Sequence, residues 1–236
     1  MENCQIQFSD NNIDFERIDA VNGWQLSQHQ IDSVYDVKRN RKIGKYPLVL
    51  PEIGCYLSHY QAWKKIANGE DEGGFIFEDD FITNSDLKDV LELLSQDIQD
   101  WDMIKLFTLN PKQKKIFSRP LSEKYNIIIP YKVPSCLLGY GLRREAAKKL
   151  IKQYQTISRP VDEDIKFFWE TGLRVALVDP MPLKIGDQQT VTGTIGNERR
   201  IKSKEYILRS KSSQALHGIL YQLKYTILLH WYRIIK

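Results

Sequence analysis

Three consecutive acids, Glu78-Asp79-Asp80, directly follow the short apolar run Phe75-Ile76-Phe77. An apolar run that begins after glycines, here Gly73 and Gly74, is typical of a buried central strand. Open α/β sheets bind ligands at the carboxyl ends of such strands. Crowded carboxylates repel one another unless a cation neutralises them, and hard oxygen ligands suit Mg²⁺ or Mn²⁺. The pattern therefore favours a divalent-metal site over the alternative, a solvated acidic turn.

A second acidic cluster, Asp162-Glu163-Asp164, follows Pro160 and leads into the aromatic segment Phe167-Phe168-Trp169. Acids in a first helical turn are favoured by the helix dipole, so simple capping explains the cluster. The functional alternative is a general base aimed into a cleft. The residues by themselves favour capping and leave the second interpretation open.

The elements that would position these acids alternate along the chain. Apolar spacing predicts helices at 51–67, 87–94, 144–154 and 212–236, and a helix that starts at the second acidic cluster. Apolar runs predict strands at 15–20, 73–77, 101–107, 125–129, 135–142 and 173–178. Residues 25–50 and 112–124 are predicted to form loops, the first with short helical pieces. His59 lies inside the first of these helices and is interpreted as a hydrogen-bonded packing residue.

This alternation of strands and helices predicts an α/β sandwich around a mostly parallel sheet. The chain contains neither GxGxxG nor GxxxxGK[ST], which disfavours dinucleotide oxidoreductases and P-loop NTPases. Its 236 residues are 42% hydrophobic and 27% charged, as expected for one globular domain with a terminal appendage. Three distant cysteines argue against a disulfide framework and for a reducing compartment. The polar N-terminus does not resemble a signal peptide, and no apolar stretch has the length of a membrane span.

The C-terminal part of the chain differs from the rest in charge. Residues 199–236 contain nine Lys or Arg and one acid, Glu205, a charge of +8, whereas the whole chain carries +4. We predict a domain at 1–198 and a basic amphipathic tail at 199–236. Two interpretations of the tail helix stay open: docking on the core, or lying in the plane of an anionic membrane. Its apolar spacing is carried by Leu216, Ile219, Leu220, Leu223, Ile227 and Trp231. No groove-reading motif accompanies the charge, so nucleic acid is not an expected partner.

Six stretches, taken together and in order, resemble glycosyltransferase family 25. This lipooligosaccharide galactosyltransferase family also includes collagen galactosyltransferases. The stretches are Phe15-Glu16-Arg17-Ile18-Asp19-Ala20-Val21-Asn22-Gly23, Glu52-Ile53-Gly54-Cys55-Tyr56-Leu57-Ser58-His59, Phe77-Glu78-Asp79-Asp80, Trp101-Asp102-Met103-Ile104-Lys105-Leu106, Ser135-Cys136-Leu137-Leu138-Gly139-Tyr140 and Pro160-Val161-Asp162-Glu163. Each is weak alone, but six in the family's order across residues 15–185 make a specific match.

The resemblance implies a GT-A fold, a UDP-sugar donor that is usually UDP-galactose, and a divalent cation, Mn²⁺ or Mg²⁺. It assigns Asp80 and Glu78 to the metal. Asp162 or Glu163 becomes the base that deprotonates the acceptor in an inverting reaction, so the resemblance reverses the preference for capping. The residues assigned to donor binding are Glu78, Asp79, Asn22, Gly23 and Glu52.

The resemblance also implies a partner and a place in the cell. The acceptor is expected to be a lipid-linked oligosaccharide, and the enzyme to be cytoplasmic, peripheral at the inner face of a bacterial cytoplasmic membrane. The family's usual first βα unit is missing from this sequence. This departure motivates the alternative of a truncated, catalytically inactive member that only binds a glycan, a membrane or a partner. A phosphohydrolase is a weaker third reading, because it explains only the acidic strand end.

Overall fold

The computed structural model describes residues 2–83, 86–97, 99, 101–186 and 211–235. Within these residues the helices are α1 (Glu2–Asp10), α2 (Gln28–Val34), α3 (Val37–Ile43), α4 (Leu50–Asn68), α5 (Leu87–Gln96), α6 (Arg144–Gln153), α7 (Val161–Lys166) and α8 (Lys211–Ile235), with 3₁₀ turns at Gly23–Gln25 and Phe168–Glu170. The strands are β1 (Gly73–Phe77), β2 (Phe81–Thr83), β3 (Met103–Lys105), β4 (Lys115–Pro120), β5 (Asn126–Pro130), β6 (Gly139–Arg143), β7 (Val175–Asp179) and β8 (Leu183–Ile185). The expected α/β class is confirmed.

The central sheet is mixed: four of its strands (β1, β3, β7 and β4) run in one direction, and β6 and β5 run in the other. Its six strands lie in the order β1-β6-β3-β7-β5-β4, and among neighbouring described strands β3 and β7 are the one pair that is hydrogen-bonded in parallel. Strand β6 enters between β1 and β3 and is antiparallel to both. Strands β4 and β5 form an antiparallel pair, and β2 pairs with β8 in a separate ribbon. Alternation along the chain predicted the layers correctly but could not specify these directions.

Strand β1 was expected at the centre of the sheet, but among the described strands it lies at an edge and pairs only with β6. Its apolar composition has another cause. Phe75 and Phe77 pack against one hydrophobic cluster, and Ile76 packs against the other on the opposite face. An edge strand covered on both faces therefore has the continuous apolar run that normally marks a central strand.

Two further predictions from apolar patterning were wrong. Residues 15–20 form no strand: Phe15 stacks on Phe8 of α1, with ring centroids 4.8 Å apart, and Ile18 is exposed. The predicted loop at 112–124 instead contains β4, whose side chains are mostly exposed. A strand at the border of a sheet needs no apolar face, so its polar sequence resembles that of a loop.

The core consists of two clusters, one on each face of the sheet. Neighbouring strand residues alternate between them: Met103 and Val175 join the first cluster, whereas Ile104 and Ala176 join the second. Helices α4, α6, α7 and α8 cover the first face, and α1 and α5 cover the second. This sandwich places the end of β1 and the start of α7 at the borders of the first cluster.

The C-terminal helix α8 packs on the first face by an aromatic side. Tyr225 and Leu229 are buried in the first cluster, and His217 contacts the carbonyl oxygen of Gly44 at 3.2 Å. No helix of the described part is long and apolar enough to cross a membrane. The predicted domain boundary between residues 198 and 199 lies outside the described residues.

Candidate functional site

The three acids after β1 point in different directions. The Glu78 carboxylate faces α4, where its Oε1 lies 3.1 Å from Nε2 of His59. Asp79 is exposed, and the Asp79 and Asp80 carboxylates both help to raise the pKa of Cys4 in α1, where burial is the largest cause. The backbone oxygen of Asp80 accepts a hydrogen bond from Gly186 N at 2.7 Å. The predicted metal ligands Glu78 and Asp80 therefore start from the same strand end but face different neighbours.

A buried chain of hydrogen bonds leads to Glu78 from the core. Trp63 Nε1 lies 2.8 Å from the Tyr140 hydroxyl, and that hydroxyl lies 3.0 Å from His59 Nδ1. Trp63, Tyr140 and His59 are all buried. An indole N–H can only donate, so the Tyr140 oxygen accepts from Trp63 and its own hydrogen is available to His59 Nδ1. We assign the remaining imidazole proton to Nε2, from which it is donated to the Glu78 carboxylate.

His59 is thus more than the packing residue that its sequence suggested. It lies on α4, at the position where the inward face of the helix passes the end of β1. Its ring is held from both sides, so the orientation of the Glu78 carboxylate follows from the core. The sequence indicated that His59 could matter only because the Ser58-His59 pair belongs to a stretch that resembles the family. It did not indicate which residues the imidazole contacts.

We expect the substitution Tyr140→Phe to lower the free energy of unfolding by about 1–3 kcal/mol, because it leaves the Trp63 N–H and His59 Nδ1 buried without their partner. Urea denaturation followed by circular dichroism measures this loss. The matched control is Tyr46→Phe, which removes a hydroxyl from an exposed tyrosine. Equal stabilities of the two variants would contradict the proposed chain of hydrogen bonds.

Glu78, His59 and Cys55 form a group whose ligand atoms all lie within 4.8 Å of one another. Burial raises the pKa of the Cys55 thiol far above its usual value, with smaller contributions from nearby acids that include Glu78 and Asp162. The thiol therefore stays protonated and is a poor ligand for a hard cation. The Glu78 carboxylate is acceptor-only and 33% exposed, which fits Mg²⁺ or Mn²⁺. At this strand end the ligand atoms that fit a hard divalent ion are therefore the carboxylate oxygens.

The structure separates the three acids of α7. Asp162 Oδ2 accepts a hydrogen bond from Cys136 N at 3.1 Å. Glu163 instead contacts Lys166 Nζ at 2.8 Å and the Tyr221 hydroxyl at 3.0 Å, on the side of α8. Asp162 and Glu163, the two predicted catalytic acids, are therefore turned to different partners.

Asp164 is buried and serves the core. It lies 3.0 Å from Arg159 Nη1 and accepts from the Tyr56 hydroxyl at 3.0 Å. Burial raises the pKa of Asp164 to about 7, against the lowering effect of Arg159 and Tyr56. Arg159 also pairs with Glu170, at 2.8 Å. This network anchors the start of α7 and leaves Asp164 no access to a substrate.

A buried lysine that the sequence analysis did not single out lies beneath the Asp162 contact. Lys105 in β3 donates from Nζ to the carbonyl oxygens of Pro134 and Ser135. The next residue, Cys136, has a backbone φ of 72°, the left-handed region that costs energy for residues other than glycine. In this conformation Cys136 N donates to Asp162. Lys105 thus holds the turn that aims a backbone donor at the candidate base.

The electrostatic surroundings link Asp162 with Glu78. Burial lowers the pKa of Lys105 to about 8, and both Asp162 and Glu78 oppose this shift. The same two acids contribute to the raised pKa values of Cys55 and Cys136, after burial as the largest cause. The two carboxylates therefore border one cluster of buried groups, although they are far apart in the sequence.

The predicted donor-binding residues Asn22, Gly23 and Glu52 form a tight junction at the start of α4. Asn22 Oδ1 accepts from Trp24 N at 3.0 Å and so caps the 3₁₀ turn Gly23–Gln25. A Cβ on Gly23 would come within 1.8 Å of the Leu50 carbonyl oxygen, so only glycine fits. Glu52 is buried, and its Oε2 accepts from Val49 N at 3.0 Å, which caps α4.

Ser58 and Gly54 complete this junction. Ser58 Oγ accepts from Val21 N at 2.9 Å, and a Cβ on Gly54 would meet the Val21 carbonyl oxygen at 2.4 Å. Gly54 therefore allows the backbone of α4 to approach the Val21–Gly23 backbone closely. The Glu52–His59 stretch therefore combines a cap, a close approach of two backbones and the histidine that contacts Glu78.

Comparison with known proteins gives a family match over most of the chain. Residues 2–165 match the family described as Glycosyltransferase family 25 (LPS biosynthesis protein). Procollagen galactosyltransferase 1-A of Xenopus laevis is 29% identical over 170 residues, which are 67% of this chain and 27% of that protein. Glycosyltransferase 25 family member of Anopheles gambiae is 29% identical over 169 residues, 67% of this chain and 27% of that protein.

One relative is named as inactive. Inactive glycosyltransferase 25 family member 3 of Homo sapiens is 28% identical over 169 residues, 65% of this chain and 27% of that protein. The chain thus spans 27% of the length of each of these three relatives. The similarity therefore applies to the matched part of each relative and not to its whole length.

Proposed function

Because the chain belongs to glycosyltransferase family 25, we propose that it is a metal-dependent, inverting glycosyltransferase. In this proposal it transfers a hexose, galactose from UDP-galactose, to a lipooligosaccharide or lipopolysaccharide acceptor. The observation that carries the proposal is the Glu78 carboxylate, held by His59 at the end of β1 and bordering the same buried cluster as Asp162. The names of the galactosyltransferase relatives support the sugar, and the family description supports the acceptor.

Glu78 and Asp80 are the residues that would hold Mn²⁺ or Mg²⁺. A divalent ion held there would supply Lewis-acid chemistry, namely neutralisation of the negative charge that develops on the departing diphosphate, without proton transfer from the protein. The chain's own contribution is orientation: the Trp63–Tyr140–His59 hydrogen bonds hold the Glu78 carboxylate. The Asn22-Gly23 turn, which packs tightly against α4, would present its backbone to the donor. Asp79, which is exposed next to Glu78, completes the proposed donor-binding set together with Glu52, which acts by capping α4.

Asp162 is the better of the two candidates for the base. It would take the proton from the acceptor hydroxyl, whose oxygen forms a bond to the anomeric carbon while the bond from that carbon to UDP breaks. Attack on the face opposite the leaving group inverts the anomeric centre. Asp162 suits this role because only one of its oxygens has a backbone partner in the described contacts, whereas Glu163 is engaged with Lys166 and Tyr221.

We expect Asp162→Asn to lower the rate of sugar transfer by about 100-fold or more, the usual contribution of a general base, without weakening UDP binding. Radiolabelled sugar transfer and calorimetric titration of UDP measure the two quantities separately. Asp89→Asn, at an exposed position of α5, is the matched control and is expected to keep full activity. A larger loss of transfer in Glu163→Gln than in Asp162→Asn would reassign the base to Glu163.

The experiment that tests the function as a whole is isothermal titration of UDP and UDP-galactose into the chain, first with Mn²⁺ and then with EDTA. Binding that needs the metal, followed by transfer to a lipooligosaccharide acceptor, is the expected result. A folded protein that binds neither nucleotide would favour the alternative of an inactive member that only binds a glycan or partner. The relative named as inactive is the reason to include this outcome.

A further inference from the structure

Helix α8 has two apolar faces, and only one of them is packed. The packed face carries His217, Tyr221, Tyr225 and Leu229, which recur every four residues and contact the domain. Near its end, Arg233 donates to the carbonyl oxygens of Pro130 and Tyr131. The helix is therefore held along its length by contacts on this face.

The second face is exposed. It carries eight large apolar side chains that are each 53–83% exposed, which we call the outer stripe: Leu216, Ile219, Leu220, Leu223, Ile227, Trp231, Ile234 and Ile235. At 100° per residue these positions centre on the side of the helix opposite Tyr221 and Tyr225. This stripe is the face that the sequence pattern singled out as apolar, and the domain does not cover it. A continuous exposed stripe of this size marks an interaction surface.

We propose that the outer stripe of α8 docks onto the surface of an anionic lipid bilayer. Membrane docking goes beyond the proposed function, because it does not depend on sugar transfer by the protein. An in-plane membrane helix combines a wide apolar face, cationic residues and aromatic residues at the headgroup level. Residues 211–235 contain no Asp or Glu, and Lys224 is exposed beside the stripe. Trp231, at the edge of the stripe, is a residue type enriched at the membrane interface.

Charge decides between a bilayer and a second copy of the chain as the occupant. The described helix contains three cations, Lys211, Lys224 and Arg233, and no acid, so pairing two outer stripes would bring two positive helices together. An anionic lipid surface attracts the same segment. Exposed cations at the end of α3, among them Arg41, Lys42 and Lys45, adjoin the contact between Gly44 and His217 and add to the positive surface near α8. The helix would lie on the membrane rather than cross it, in keeping with the absence of a span among the described helices.

The packed face connects this surface to the candidate site. The Tyr221 hydroxyl donates to Glu163 Oε2 at 3.0 Å, one residue from Asp162. A bilayer on the outer stripe would therefore lie one helix diameter, about 10 Å, from the α7 acids. This geometry suits an acceptor whose lipid stays in the membrane while its sugar reaches α7.

Co-sedimentation of the full chain with vesicles tests the proposal. We expect binding to vesicles of phosphatidylcholine with phosphatidylglycerol, at least about fivefold weaker binding to phosphatidylcholine alone, and weakening by salt. The double substitution Leu223→Ser with Ile227→Ser is expected to reduce binding at least about tenfold, because it removes apolar area at the centre of the stripe. The matched control, Leu109→Ser with Ile116→Ser, changes exposed apolar residues outside α8 and is expected to bind normally.

Three results would overturn the proposal. Equal vesicle binding by the two double variants would show that the stripe is not the membrane contact. A lowered melting temperature of the Leu223→Ser/Ile227→Ser variant would show that the stripe is packed against protein. A dimer in sedimentation velocity that this variant abolishes, together with no vesicle binding by the original chain, would identify a second copy as the occupant.

Discussion

The substitution Glu78→Gln is expected to lower the rate of sugar transfer by about 100-fold or more and to abolish the Mn²⁺ dependence of UDP binding, because a neutral amide is a poor ligand for a hard cation. Glutamine keeps the shape of the side chain, and its amide oxygen can still accept a hydrogen bond from His59 Nε2. The change therefore removes the charge while the buried chain of hydrogen bonds can stay intact. Calorimetric titration of UDP with Mn²⁺, and then with EDTA, measures the effect.

The control for this experiment is Glu92→Gln, which makes the same chemical change on the exposed side of α5. It is expected to leave metal-dependent UDP binding unchanged. The comparison with Asp80→Ala tells the two predicted ligands apart. If Glu78→Gln keeps metal-dependent binding and Asp80→Ala loses it, Asp80 holds the metal and the role proposed for Glu78 is wrong.

The substitution Arg159→Met is expected to lower the free energy of unfolding by about 3–5 kcal/mol, because it leaves buried acids without their cation. Arg159 and Asp164 each have side chains only 3% exposed, and Arg159 also binds Glu170. The guanidinium further packs 3.7 Å from the centre of the Phe167 ring. Chemical denaturation measures the loss. The control is Arg174→Met, since Arg174 is exposed in its pair with Asp102 and such surface pairs contribute about 1 kcal/mol or less.

The loss of unfolding free energy caused by Arg159→Met is expected to be larger at pH 8 than at pH 5. Burial already raises the pKa of Asp164 to about 7, and removal of Arg159 takes away the nearest charge that lowers it. When folding raises the pKa of a carboxyl group, the folded state loses stability as the pH rises from the group's pKa in the unfolded state through its pKa in the folded state. The variant therefore loses more stability than the original chain across this range. A loss that is the same at both pH values would show that Asp164 does not carry the uncompensated charge.

The sequence by itself determined the family, the α/β class and the positions of most helices. These features depend on local patterns: apolar spacing for α4, α5 and α6, and the short motifs that contain Glu78 and Asp162. It also placed both acidic clusters, because acids that interrupt apolar runs stand out without any knowledge of their neighbours.

Only the tertiary structure decided which partner each acid contacts. Glu78 faces His59, Asp162 faces Cys136, Glu163 faces α8, and Asp164 is buried with Arg159. Consecutive residues on a helix or strand end point in different directions, so their partners depend on elements that are distant in sequence. The order and direction of the strands escaped prediction for the same reason, since β1 at a covered edge has the apolar composition of a central strand. Local sequence encodes an element and its faces, whereas long-range packing selects what each face meets.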